Sequence, residues 1–198
     1  MFKPPLPFMG NKRNMLKKIE GALAHLRQEG YITSETIFID TFGGSGLVAH
    51  NIKQWYPNNE VIWNDFDNYQ ERLHNIHSTE RLRQKLLNAV QGIEYKTRIK
   101  NVREILEVIE NHDGYIDYIT VSSWLLFSGN YVNSFERLRK RKFYNRLPKA
   151  KLDNNGYLAG VKRTRQDFKE LLDAYREVED KLLILDPPLF TDANWGIC

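Results

Sequence analysis

An open α/β sheet is the fold that the sequence predicts, and three stretches predict it. Near the front, Thr36-Ile37-Phe38-Ile39-Asp40 is a short apolar and β-branched run, followed by Thr41-Phe42-Gly43-Gly44-Ser45-Gly46 and the helical start Leu47-Val48-Ala49. A second run, Glu60-Val61-Ile62-Trp63-Asn64, ends at Asp65. Near the back, Leu182-Leu183-Ile184-Leu185 runs into Asp186-Pro187-Pro188. Such runs read as strands, and strand, glycine turn and helix together make the first half of a nucleotide-binding βαβ unit. Open α/β sheets bind their ligands at the carboxyl edge of the strands.

The elements follow in order. Residues 11–27 carry Met15, Leu16, Ile19, Leu23 and Leu26 at helical spacing, with Asn11 or its neighbour as cap. Residues 46–55 and 69–76 read as the helices that follow the first two strands. Residues 102–109 have apolar side chains one helical turn apart, and 116–127 form a more buried helix containing Trp124. Residues 151–156, Lys-Leu-Asp-Asn-Asn-Gly, are a turn-rich break. Residues 167–178 form a polar-faced helix leading into the last strand. The sequence has no internal repeat and no low-complexity tract.

The strand ends carry the chemistry. Gly43, Gly44 and Gly46 remove the Cβ atoms that would hold a cofactor away from the backbone. Their spacing is neither a dinucleotide fingerprint nor a phosphate loop ending in Gly-Lys-Ser/Thr. Asp65 lies roughly 20 residues past the glycines, which suits a grip on ribose hydroxyls. Asp186-Pro187-Pro188 offers one carboxylate and a turn with no N–H groups on its prolines, so neighbouring carbonyls are open to an amine. Read alone, the same residues also fit a surface turn and a purely structural glycine bend.

At 198 residues the chain suits one domain with one substantial core. It is 27% charged, has no apolar stretch of membrane-spanning length, and starts without the apolar core of a signal peptide. Cys198 is the only cysteine, which excludes internal disulfides and a cysteine-based zinc site. Of the five histidines, His74 and His77 are one helical turn apart and read as a surface pair rather than metal ligands. A cytoplasmic, reduced protein without a metal is the expectation.

The net charge of +4 is unevenly spread. Between Arg137 and Lys151 stand Arg137, Arg139, Lys140, Arg141, Lys142, Arg146, Lys149 and Lys151, with no acid among them. Tyr131, Phe135, Phe143 and Tyr144 are interleaved, and Asn130, Asn133 and Asn145 add amides. Such a run neutralises phosphates and gives salt-dependent nucleic-acid affinity. Arg and Asn side chains also read guanine and adenine edges. The alternative is a solvated basic face.

These pieces resemble the Dam-type (D12-class) DNA adenine-N6 methyltransferases, in that family's order. Pro7-Phe8-Met9-Gly10-Asn11-Lys12 resembles its N-terminal aromatic-x-Gly-Gly-Lys segment, with Asn11 in place of a glycine. Asp40-Thr41-Phe42-Gly43-Gly44-Ser45-Gly46 resembles its acidic glycine loop. Asn64-Asp65-Phe66-Asp67 is similar to its Asn-Asp-x-Asn, and Asp186-Pro187-Pro188 to its Asp-Pro-Pro-Tyr.

The resemblance implies a Rossmann-like S-adenosylmethionine-dependent methyltransferase fold with a mostly helical inserted DNA-recognition region. It implies a cofactor half over 1–90, a target-recognition region over about 96–160, and a catalytic-motif segment over 161–198. By the same resemblance, Phe8, Lys12, Asp40, Phe42, Gly43, Gly44, Gly46, Asp65 and Asp186 hold S-adenosylmethionine. Asp186, Pro187 and Pro188 hold the target amine. Double-stranded DNA is the implied partner, with Asn133, Arg137, Arg139, Lys140, Arg141, Lys142, Asn145 and Arg146 as its contacts. A restriction endonuclease, a phage and a housekeeping role all remain open as settings, as do the oligomeric state and the recognised DNA sequence.

The chain departs from the family pattern in two places. Position 189 is Leu where the family has an aromatic residue that stacks on the extruded base, with Phe190 next to it. Family members also continue with further strands, so the sequence predicts a sheet lacking its last strands. A truncated, non-catalytic DNA-binding relative is therefore the second reading.

Overall fold

The computed structural model describes residues 3–10, 12–127 and 129–187, which fall into two compact units. Of the described residues, one unit comprises Lys3 and Pro4, Phe8–Gln70 and residues 155–187. The other comprises Pro5–Pro7 and Glu71–Asn154.

The first unit is an α/β sheet of four strands, β1 (Ile37–Asp40), β2 (Val61–Asn64), β3 (Lys162–Thr164) and β4 (Lys181–Ile184), in the order β3-β2-β1-β4. Every pairing is parallel, with Asp40 opposite both Trp63 of β2 and Ile184 of β4. Parallel neighbours need crossover connections. Helix α2 (Leu47–Trp55) makes the one from β1 to β2 and packs on both.

Successive strand residues face opposite sides. Phe38 meets the Tyr56 ring at 4.9 Å, just past α2, whereas Ile39 packs with Ile62 and with Leu171 of α8 (Phe168–Ala174). Helices thus cover both faces. That is why β1 and β2 read as continuous apolar runs rather than alternating ones. Helix α1 (Leu16–Gln28) packs on α2 and buries Leu16 and Leu23.

The second unit is helical. Helix α3 (Tyr69–His74) carries the chain into it. Then come α4 (Ile76–Ala89), α5 (Arg103–Glu110), α6 (Tyr118–Leu125) and α7 (Phe135–Leu138). Leu82, Leu86, Ile105, Ile109, Val121, Leu125, Leu138 and Phe143 form its core. Two buried ion pairs lock it. Arg72 holds Asp117, the N-cap of α6, at 2.9 Å. Arg83 grips Glu80 through two bonds of 2.7 Å and also donates to the Pro148 carbonyl. Among the described residues no helix is long and apolar enough to cross a membrane.

Several boundaries differ from the sequence reading. A 3-10 turn (Arg13–Met15) precedes α1, whose N-cap is Met15 without a side-chain bond; Asn11 lies outside the described residues. The helix expected over 69–76 ends at His74, and α4 was not anticipated. Its charged and amide residues dilute the apolar signal, although Leu82 and Leu86 lie one turn apart and buried. Strand β3 was missed too. Lys162-Arg163-Thr164 is a polar sheet edge, recognisable only by its pairing with β2. Helix α8 ends at Ala174, short of the expected 178.

Candidate active site

From β1 the chain goes to β2 on one side, and the strand that pairs on the other side is β4. Such a reversal leaves a crevice beyond the carboxyl ends of the two strands. A cavity of about 210 Å³ lies there, within the first unit. Asp40 and the glycine loop line it from β1. Ile184, Leu185 and Asp186 line it from β4, Leu47 and Val48 from α2, and Phe8, Lys12, Met15 and Ile19 from the N-terminal segment. Parallel pairing of neighbouring strands therefore brings together residues about 150 positions apart.

The glycine loop fits closely. A Cβ on Gly43 would lie 2.2 Å from Cδ1 of the buried Trp63, so only a bare backbone passes there. Gly46 is the N-cap of α2 at φ 74°, in the left-handed region that glycine enters without steric cost. The Phe8 ring covers Gly44 and meets Tyr69 edge-on at 5.8 Å. Phe42 lines the cavity and leans on Phe168 at 5.3 Å.

The two carboxyl groups differ. Asp186 is 40% exposed and accepts from Lys12 Nζ at 2.9 Å. Asp40 is 3% exposed and accepts a long 3.3 Å bond from the Ala49 N–H. Burial pushes its carboxyl up to about 7; the Ala49 N–H opposes this and the Asp186 charge adds to it. Asp40 is thus an acid poised near neutrality, facing a second acid whose cation is Lys12.

Asp65 does not join this cavity. It is fully buried, and its carboxylate accepts from the Tyr69 and Gln70 N–H groups at the start of α3 and from Arg163 Nε at 2.8 Å. A carboxylate so engaged ties β2, β3 and the start of α3 together. Asn64 is equally structural. Its amide donates to the Thr41 and Gln166 carbonyls and accepts from the Gln166 N–H, tying together the ends of β1, β2 and β3. Arg163 was the missed partner, since only β3 pairing brings it to the tip of β2.

The basic run belongs to the helical unit. Arg137, Arg139, Lys140, Arg141 and Lys142 are exposed, as is Asn133. Arg139 pairs with Glu136 at 2.8 Å, an acid just outside the run, and Arg137 donates to Asn133. Asn145 stands apart from this set. It is 8% exposed, donates to the Ile93 carbonyl and accepts from the Leu147 N–H. Arg146 is half-buried and donates to the Leu126 carbonyl. Phe143, Asn145 and Leu147 alternate inward as an extended segment does, a period-2 signal visible in the sequence. Phe143 is core rather than a contact surface, while Phe127 is 67% exposed against Tyr144. Pro187 is described; Pro188, Leu189 and Phe190 lie outside the described residues.

The cavity lining has the chemistry that a nucleoside carrying a cation calls for. A nucleoside and a sulfonium need flat or aliphatic walls, a close backbone and an anion. The cavity has Phe8, Phe42, Leu47 and Val48, the Gly43 passage, and the Asp40–Asp186 pair.

Two comparisons with known proteins identify relatives of the chain. A family model described as D12 class N6 adenine-specific DNA methyltransferase matches residues 8–189. A Haemophilus influenzae protein named "Putative methyltransferase" is 41% identical over 189 residues, which is 93% of this chain. The alignment spans 63% of that relative's length.

Proposed function

Because the chain belongs to the D12 class N6 adenine-specific DNA methyltransferase family, we propose that it transfers a methyl group from S-adenosylmethionine to the N6 amine of adenine in double-stranded DNA. The observation that carries this reading is the cavity at the β1/β4 crevice, where the glycine loop, Asp40 and Asp186 meet.

Bound in the cavity, the cofactor supplies an activated methyl on a sulfonium. Phe8, Phe42 and the Gly43 backbone would hold its nucleoside, and Asp40 would balance its positive charge. Asp186 and the Pro187 carbonyl receive the N–H groups of the target amine. That amine is a weak nucleophile because its lone pair is delocalised into the purine. Accepting both hydrogens draws the nitrogen toward a tetrahedral form and stabilises the charge that develops on it. The ammonium of Lys12 at 2.9 Å supports this role, since it occupies Asp186 as an N–H donor does. Fixing amine and methyl in line supplies much of the remaining acceleration.

A duplex hides the amine, so the base must leave the stack at a cost of a few kcal/mol. Arg137, Arg139, Lys140, Arg141 and Lys142 are exposed and contact phosphates, holding the duplex while the base is out.

Purified protein incubated with methyl-labelled cofactor and duplex DNA is expected to give N6-methyladenine. Folded protein that labels no adenine would overturn the catalytic reading. Retained duplex binding in that case would support the non-catalytic DNA-binding one.

A further inference from the structure

We propose that Asp40 is the proton-exchanging residue of the donor cavity: entry of a cationic ligand displaces its proton to solvent and leaves the carboxylate facing the bound charge. This rests on the donor-site reading above and concerns what that site does with a proton.

The geometry that carries it is a mismatch of charges. Two carboxyl groups, Asp40 and Asp186, line one cavity, and Lys12 is bonded to the outer one. Asp40 sits behind it at 3% exposure, and among the described residues no ion pair reaches it.

Every element around Asp40 leaves this unchanged. Helix α1 presents apolar Ile19, and the turn before it presents Met15 and Lys12. From α2 come Leu47, Val48 and the Ala49 N–H, and also His50, which burial keeps toward its neutral form. Tyr157, whose ring stacks on His50 at 4.5 Å, donates its hydroxyl to the Ser45 carbonyl; burial pushes its ionisation far up, so it stays neutral. β4 adds Ile184 and the Asp186 anion. An acid buried among these neighbours keeps its proton into the neutral range.

A ligand cation in the cavity reverses the balance. The Asp40 O–H bond breaks, its electron pair stays on the carboxylate, and the proton leaves to water or buffer. S-adenosylmethionine carries two cations, a sulfonium and an ammonium. Its demethylated product keeps only the ammonium.

The test is calorimetric titration of the full chain with S-adenosylmethionine at pH 6 and pH 7, in buffers of different protonation enthalpy. Affinity about fivefold tighter at pH 7 than at pH 6, with close to one proton released at pH 6, is expected for an acid titrating near 7. In Asp40→Asn both the release and the pH slope should vanish. Repeating the titration with the demethylated product assigns the cation: smaller release names the sulfonium, and equal release names the ammonium.

Binding without proton exchange would overturn the proposal and leave the donor site standing. Undiminished release by Asp40→Asn would overturn the assignment to Asp40. Absence of any binding would remove the donor-site reading itself. Should Asp40→Asn not fold, difference infrared spectroscopy of the wild type decides instead. A protonated-carboxyl band that disappears on ligand binding supports the proposal, and its absence from the free protein refutes it.

Discussion

The sheet unit and the helical unit each bury a carboxyl group, and they treat it in opposite ways. Glu80 in the helical unit is clamped by Arg83, and by the Gln84 side chain and Leu152 N–H as well; the Arg83 bonds lead in pulling its carboxyl down to about 2. Asp40 in the sheet unit has one long backbone bond and is pushed up to about 7, chiefly by burial. The Glu80 charge serves the scaffold, since Arg83 cancels its field within the protein. An acid left facing a cavity is the one that a ligand can still engage.

Breaking the clamp tests the scaffold side. Arg83→Met leaves Glu80 buried without its cation and should cost about 3–5 kcal/mol in denaturant unfolding. Replacing Glu80 and Arg83 together by apolar residues should recover much of that loss. If the single variant unfolds like the wild type, Glu80 and Arg83 are not the lock of this unit.

On the cavity side, Asp186→Asn removes the carboxylate that the proposed function sets against the target amine. It should lower methyl transfer by about 10²–10³-fold, in the range of other lost transition-state contacts. Because Asp186 is 40% exposed, the melting temperature should stay nearly constant. A variant with wild-type turnover would separate Asp186 from the chemistry.

Asp40→Asn should act in the opposite sense to Arg83→Met. The folded carboxyl titrates near 7 and the unfolded one at 3.8. Below both values each state holds the proton and nothing is lost. Between them the unfolded chain releases a proton that the folded chain keeps, so this group's contribution to stability falls as pH rises, reaching its full cost above about 7. The variant should therefore be more stable than wild type by about 1–3 kcal/mol at pH 8, with a gain that shrinks toward zero near pH 4. Melting curves across that range check it; a gain that does not change with pH would mean that Asp40 does not titrate there.

The smallest effect expected is on DNA affinity. Lys140, Arg141 and Lys142 are exposed, so replacing all three by Ala should leave the fold intact. It should reduce the slope of log affinity against log salt by up to about three. An unchanged slope would place the phosphate contacts elsewhere.

Much of the sheet unit was legible in the linear sequence. The βαβ start, the glycine turn and the Asp186 strand end all rest on neighbours in the chain, and local pattern reports local structure. The basic run was legible as composition, but not which of its members face outward. Asn145 reads as one more polar residue, yet extended backbone turns it inward, where its amide holds Ile93. Asp65 reads as an acid at a strand tip, and only the fold brings it Arg163 from β3 and two N–H donors from α3.

By itself, then, the sequence determined the class of fold and the strand ends that carry acids, because hydrophobic period and glycine placement act over a few residues. Only the tertiary structure decided which of those acids share a cavity. β4 pairs with β1 and sets Asp186 beside Asp40, whereas β3 pairs with β2 and sets Arg163 against Asp65. Strand order is a long-range choice, and it is strand order that separates the carboxyl groups at the cavity from the one tied into the sheet.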